Sequence, residues 1–124
     1  VVPTLVGERP AWFRVLSCTG QVFPCWWHPQ THLYSPVTRE EEELYGLGRL
    51  RSMTTAISYL CSLELFSSEI ALTAESGFVV VDYVNDPIDL RLQSRTVDGV
   101  PDAIVQAVAG GLAEFAAACC APPA

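Results

Sequence analysis

The pattern of apolar and polar positions from Leu65 to Leu90 reads as two strands joined by a tight turn. Phe66, Ile70 and Leu72 are the apolar positions of a first strand, Ala74-Glu75-Ser76-Gly77 is turn chemistry, and Phe78 to Val84 is a β-branched and aromatic run. An earlier segment repeats the plan. Ala11 to Cys18 reads as a strand, Thr19-Gly20 as a turn, and Gln21 to Trp27 as the returning strand. Alternation sets Trp12, Arg14 and Leu16 on one face of that hairpin and Phe13 and Val15 on the other. Pro24 cannot donate to a ladder, which predicts an edge or a bulge there. Residues 1–10, with Gly7 and two prolines, read as an irregular entry.

Between and after the hairpins the period changes from two to three or four. His28 to Pro36 is a loop that carries both histidines. Thr38-Arg39-Glu40-Glu41 is a capping box, and Glu40 to Glu43 are acids suited to the positive end of a helix. Gly46 and Gly48 predict a break and a restart. From Arg49 onward Leu50, Met53, Ile57, Leu60 and Cys61 form one apolar stripe, which packs on a sheet. Asp86 to Gly99 has no clear period and reads as a loop. Pro101-Asp102 opens a last helix whose apolar face is Ile104, Val105, Val108, Leu112 and Phe115, and Ala121-Pro122-Pro123-Ala124 is a tail. The predicted class is α+β: an antiparallel sheet built from two hairpins and covered on one face by two main helices, one domain over residues 1–124.

Composition narrows the chemistry. The 124 residues can bury about two-thirds of their unfolded surface, and a chain that is 50% hydrophobic and 17% charged is globular rather than disordered. The net charge of −7 argues against a nucleic-acid partner. All 7 basic residues are Arg. Without Lys, a phosphate-loop lysine, a Schiff-base lysine and a lysine general base are excluded. No run of 18 residues is wholly apolar, so no membrane partner is expected. The odd number of cysteines, Cys18, Cys25, Cys61, Cys119 and Cys120, reads as reduced thiols in a cytoplasmic protein. The opening Val1-Val2-Pro3-Thr4 lacks an initiator Met and the features of a signal peptide, so the chain is expected to be a piece of a longer one.

Three polar groups interrupt the second hairpin where strands are usually apolar: Glu69, Asp82 and Asn85. A tight turn sets Glu69 opposite Asp82. Two acids directly opposite repel, and a cation between them relieves the repulsion; carboxylates with a side-chain amide suit Mg²⁺ or Mn²⁺. The plain alternative is that all three face solvent on a half-exposed hairpin. Arg14 has two readings as well, a snorkelling edge residue or a fork for an anion. Arg91 and Arg95 are further candidate anion contacts, or surface arginines paired with Asp86 or Asp89. The spacing of Cys18, Cys25, His28 and His32 does not fit the usual zinc pattern.

Glu69-Ile70-Ala71-Leu72, a turn, and Phe78 to Pro87 together resemble the end of an ATP-grasp domain. In that family an acid on one strand, then an acid and an Asn closing the next, hold the Mg²⁺ ions that bridge the nucleotide phosphates. Glu69 matches the first acid and Asn85 the Asn. The family spacing puts the second acid at position 83, which is Tyr83 here; Asp82 sits one residue earlier, and its carry-over requires a bulge or a shifted strand. Trp12 to Phe23 is similar to the family's strand-turn-strand, in which an Arg, matched by Arg14, reaches the nucleotide phosphates.

The resemblance implies the Mg-ATP-binding part of a ligase that activates a carboxylate as an acyl phosphate and passes it to an amine or thiol. Arg14 would meet the transferring phosphate; Arg14, Glu69 and Asn85 would bind the cofactor; Glu69, Asp82 and Asn85 would hold the metal. ATP, Mg²⁺ (or Mn²⁺), a small-molecule carboxylate, the remainder of a parent chain and a homo-oligomer are the implied partners. The family's phosphate-binding lysines lie on strands that have no counterpart here, so weak nucleotide binding is expected. A second reading, of a different class, is a small non-catalytic interaction domain with surface acids and an exposed loop around Trp26 and Trp27.

Overall fold

The computed structural model describes residues 1–120, so the tail read at Ala121–Ala124 lies outside the described residues. Ten elements follow one another. They are β1 (Leu5–Val6), β2 (Arg9–Pro10), β3 (Trp12–Cys18), β4 (Gln21–Trp27), β5 (Tyr34–Pro36), α1 (Arg39–Leu44), α2 (Arg49–Cys61), β6 (Leu65–Thr73), β7 (Gly77–Asn85) and α3 (Asp102–Cys120). β1 and β2 make a two-stranded ribbon in the entry that the sequence left irregular. The others form a five-stranded antiparallel sheet in the order β5-β4-β3-β6-β7. The class is α+β, as predicted, and β3 is the central strand.

Local chemistry accounts for the turns. Thr19 and Gly20, between the paired Cys18 and Gln21, both have positive φ (48° and 89°). That is the two-residue turn whose twist matches the strands it joins, and Gly20 adopts it at no steric cost. The Thr38 hydroxyl accepts from Glu41 N while the Glu41 carboxylate accepts from Thr38 N, so the capping box forms. β4 is an interior strand, which corrects the edge expected from Pro24. Pro24 pairs with Val15 on one side; β5 on the other side begins its rungs only at Cys25, leaving no ladder acceptor facing the proline nitrogen.

The alternation of β3 sorts the core into two layers. Phe13 and Val15 pack with Trp26, Ile70, Leu47 and Leu50 on the α2 side. Leu16 and Cys18 pack with Cys25, Trp27, Tyr34, Val100, Ile104 and Val108 on the α3 side. The two helices thus cover opposite faces, which corrects the expectation that both pack on one: β3 buries both of its alternating sets, and each set needs its own cover. Burial pushes the Cys25 thiol up to about 12, and all five cysteines are free. The α2 stripe is shorter than its period predicts: Leu50, Thr54 and Ile57 are buried, whereas Leu60 is 86% exposed and Cys61 is also on the surface. In α3 only Ile104 and Val108 are buried, and the helix is long and apolar enough to cross a membrane by length and composition, with a mean hydropathy of 1.6.

Candidate functional site

The candidate residues meet on the α3 side of the sheet, where β3, β6 and β7 run side by side. Arg14 is the register partner of Glu69 across β3 and β6, and its Nη2 lies 3.5 Å from Glu69 Oε2. The second Glu69 oxygen accepts from the Trp12 indole at 3.2 Å. Trp12 and Arg14 share a face because they are two residues apart on a strand, so both reach one carboxylate. Arg14 is 18% exposed and Glu69 14%, which removes the snorkelling reading of Arg14. Its guanidinium carbon stands 4.4 Å from the centre of the Trp27 ring, and its Nε is buried with no hydrogen-bond partner. A buried donor without an acceptor is costly, and this Nε has no open surface through which a ligand could reach it.

The β6–β7 ladder decides where Asp82 and Asn85 fall. From the turn, Thr73, Leu72, Ala71 and Ile70 pair regularly with Gly77, Phe78, Val79 and Val80. The register then shifts and Glu69 pairs with Asp82; it shifts again and Ser67 pairs with Asn85. Each shift inserts one extra residue into β7, as a β-bulge does. Without the second shift Asp82 and Asn85, three apart on one strand, would point to opposite faces. With it, both are partnered by β6 residues two apart, Glu69 and Ser67, which share a face. A bulge frees backbone groups from the ladder, and the buried Ser68 hydroxyl donates to the Tyr83 carbonyl in the bulged stretch at 2.5 Å.

The loop after β7 crosses the same face, with Ile88 and Leu90 packed on the α3-side core. It carries Asp89 toward Arg14. The Arg91 guanidinium holds the Asp89 carboxyl below its usual range, and Arg14 adds a smaller pull in the same direction. Arg91 itself is committed, at 2.8 Å to Asp89 and 3.1 Å to Asp98, so the paired-surface reading of Arg91 holds. Burial raises the Tyr34 phenol, and the neighbouring Arg14 opposes that shift through charge and a hydrogen bond.

Arg14, Glu69, Asp82 and Asn85 are therefore on adjacent strands and one face, although Asp82 is exposed. Among the described residues no group of three or more His, Cys, Asp or Glu side chains is gathered closely enough to hold a metal. The donor set here is two carboxylates and an amide. The exposed tryptophan loop of the interaction-domain reading is corrected: Trp26 is 4% and Trp27 8% exposed, Trp26 packed on Phe13 in the α2-side core and Trp27 in the α3-side core between Arg14 and a stacked His32. The sequence pattern missed Trp27, Tyr34 and Asp89 as neighbours of Arg14. The pairing of β4 with a three-residue β5 has no periodic signal, and the loop has none either.

In comparisons with known proteins, no family model, no curated protein and no solved structure matches the chain.

Proposed function

We propose that this face receives the phosphate end of Mg-ATP, in an ATP-grasp-like ligase that activates a small carboxylic acid as an acyl phosphate. The observation that carries the reading is the doubly shifted β6–β7 register, which aligns Glu69, Asp82 and Asn85 on the face of Arg14. It supplies the bulge that the family's acid-and-Asn pattern requires of a chain with Asp at 82 instead of 83. Hard oxygen donors from two carboxylates and an amide fit Mg²⁺ or Mn²⁺, and the metal when bound would neutralise phosphate charge.

The chain's own residues have separate tasks. Glu69 is oriented by the Trp12 indole, which donates to one oxygen, and by the Arg14 charge 3.5 Å from the other, so it meets a ligand without first losing rotamer entropy. Arg14 is held against the Trp27 ring and beside Glu69, which keeps its guanidinium fixed for a phosphate oxygen. Phosphoryl transfer asks for positioning and charge neutralisation, not a protein nucleophile. With 7 arginines and no lysine, a second wall carrying the α- and β-phosphate contacts must come from a partner segment. ATP affinity of this chain alone is then weak, with Kd above about 1 mM.

Mn²⁺ titration followed by electron paramagnetic resonance tests the site directly. The expected result is binding near about 1 mM in the wild type, abolished in Glu69→Ala and weakened in Asn85→Ala and Asp82→Ala. Wild-type protein that binds no Mn²⁺ with or without ATP, or a Glu69→Ala variant that binds as well as wild type, would overturn the proposal and favour a non-catalytic module.

A further inference from the structure

The apolar stripe of α3 runs on past the sheet that covers its first turns. Ile104, Val108, Leu112, Phe115 and Cys119 follow one another at four, four, three and four residues, so they lie on one side of the helix. Ile104 and Val108 are buried on the sheet. At Gly111 the helix crosses the Thr19-Gly20 turn that joins β3 to β4: a Cβ added there would stand 3.3 Å from Thr19 Oγ1 and 3.5 Å from Cys18 Sγ. Beyond that crossing Leu112 is half-buried, and every residue from Ala113 to Cys120 is exposed, Phe115 at 39%. An apolar helix surface of this kind calls for a partner.

The projecting turns are complementary to themselves. Leu112, Phe115, Ala116 and Cys119 have the i, i+3, i+4, i+7 spacing of a helix-pairing seam. In an antiparallel pair related by a two-fold axis, Leu112 faces the partner's Cys119 and Phe115 faces the partner's Ala116, large against small. Charge points the same way. Asp102 and Glu114 are the charged side chains of α3, and at about 100° per residue Glu114 lies about 150° from the centre of the seam. Two copies of a chain of net charge −7 therefore meet along this seam without setting acid against acid. The antiparallel arrangement also sets the helix dipoles head to tail. A parallel one would stack Phe115 on Phe115 and bring two negative helix ends together.

From this seam we infer that α3 is a dimerisation helix whose partner is α3 of a second copy, antiparallel across a two-fold axis. One side of a helix over about twelve residues amounts to roughly 400 Å² per copy, half of the about 800 Å² that each partner gives to a standard interface. The dimer is therefore weak, with a Kd near about 100 µM. It strengthens when salt screens the acidic net charge. The pairing needs neither the metal nor the nucleotide of the proposed site, so each can fail without the other.

The test is sedimentation equilibrium of the whole chain at neutral pH in about 0.5 M NaCl, over about 10 µM to about 1 mM protein. A monomer–dimer equilibrium is expected. Phe115→Glu should weaken it at least about tenfold, whereas Ala117→Glu, the same charge on the far side of α3, should leave it unchanged. Both positions are exposed, so both variants are expected to fold, which circular dichroism verifies. Ala116→Cys, in a Cys61→Ser/Cys119→Ser/Cys120→Ser background, should form a disulfide-linked dimer on mild oxidation, because the two substituted positions meet at the axis. Native Cys119 should not link to the partner's Cys119, since antiparallel helices hold the two about 10 Å apart along the axis, beyond disulfide reach. A monomer up to about 1 mM, equal effects of the two Glu variants, or a native Cys119 disulfide would overturn the inference. Flotation of the chain with phosphatidylcholine vesicles in place of dimerisation would overturn it too, by giving the helix to a lipid surface.

Discussion

At the scale of single residues, the Arg14–Glu69 pair carries both stability and the proposed chemistry. The pair is mostly buried, and each partner compensates the other's lost hydration. Removing one leaves a charge in an apolar wall of Trp27 and Tyr34, which is more damaging than replacing both. Glu69→Ala is expected to cost about 2–3 kcal/mol, somewhat below the range for fully buried pairs because both side chains keep some water contact. The double variant Arg14→Met/Glu69→Leu should recover most of that loss. Urea denaturation of the two single variants and the double variant measures the coupling; a cycle that closes with no interaction energy would show that the pair is not a unit.

At the scale of elements, β7 is the unusual one. A nine-residue strand at the edge of a sheet is exposed to wrong pairing, and two register shifts twist it away from a flat template. The buried Ser68 hydroxyl is what holds the second shift, through the Tyr83 carbonyl. Ser68→Ala leaves that carbonyl without its donor and should destabilise by about 1–3 kcal/mol. It should also weaken Mn²⁺ binding, although Ser68 is no ligand, because Asp82 and Asn85 then lose their common face. Melting temperature and the Mn²⁺ titration of this variant test the two effects together. A variant that is less stable but binds Mn²⁺ normally would separate the bulge from the site.

At the scale of the whole molecule, the two helices leave apolar ends unpartnered. Tyr59 and Leu60 are 88% and 86% exposed at the end of α2, and Phe115 is 39% exposed on α3. Surface of this kind favours association, while the net charge of −7 keeps copies apart at neutral pH. As the pH falls toward the isoelectric point of about 4.6, that repulsion fades. Sedimentation velocity is expected to show growing oligomers between neutral pH and that point, reduced in Tyr59→Ser/Leu60→Glu. A monomer throughout, or equal association by the variant, would show that these helix ends do not drive it.

What the sequence determined by itself was local. The Thr19-Gly20 turn, the Thr38–Glu41 cap, the break at Gly46 and Gly48 and the two long hairpins each depend on a few adjacent residues, and alternation alone put Trp12 and Arg14 on one face. The need for a bulge if Asp82 was to act with Asn85 was legible too, but the ladder next to the turn leads Glu69 to Val81, and only the first register shift sets it opposite Asp82. The tertiary structure decided the rest. Whether β7 bulges depends on Ser68 and on strand pairing, and neither leaves a period in the sequence. Burial of Trp26 and Trp27 depends on what packs over the two sheet faces, Phe13, Leu47 and Leu50 on one and Arg14, His32 and the α3-side core on the other, contacts that leave no period in the sequence. Leu60, read from the sequence as part of the stripe with Leu50 and Ile57, is exposed while they are buried: a helical period tells which residues share a stripe, but only the neighbouring strands determine how much of that stripe has something to cover it.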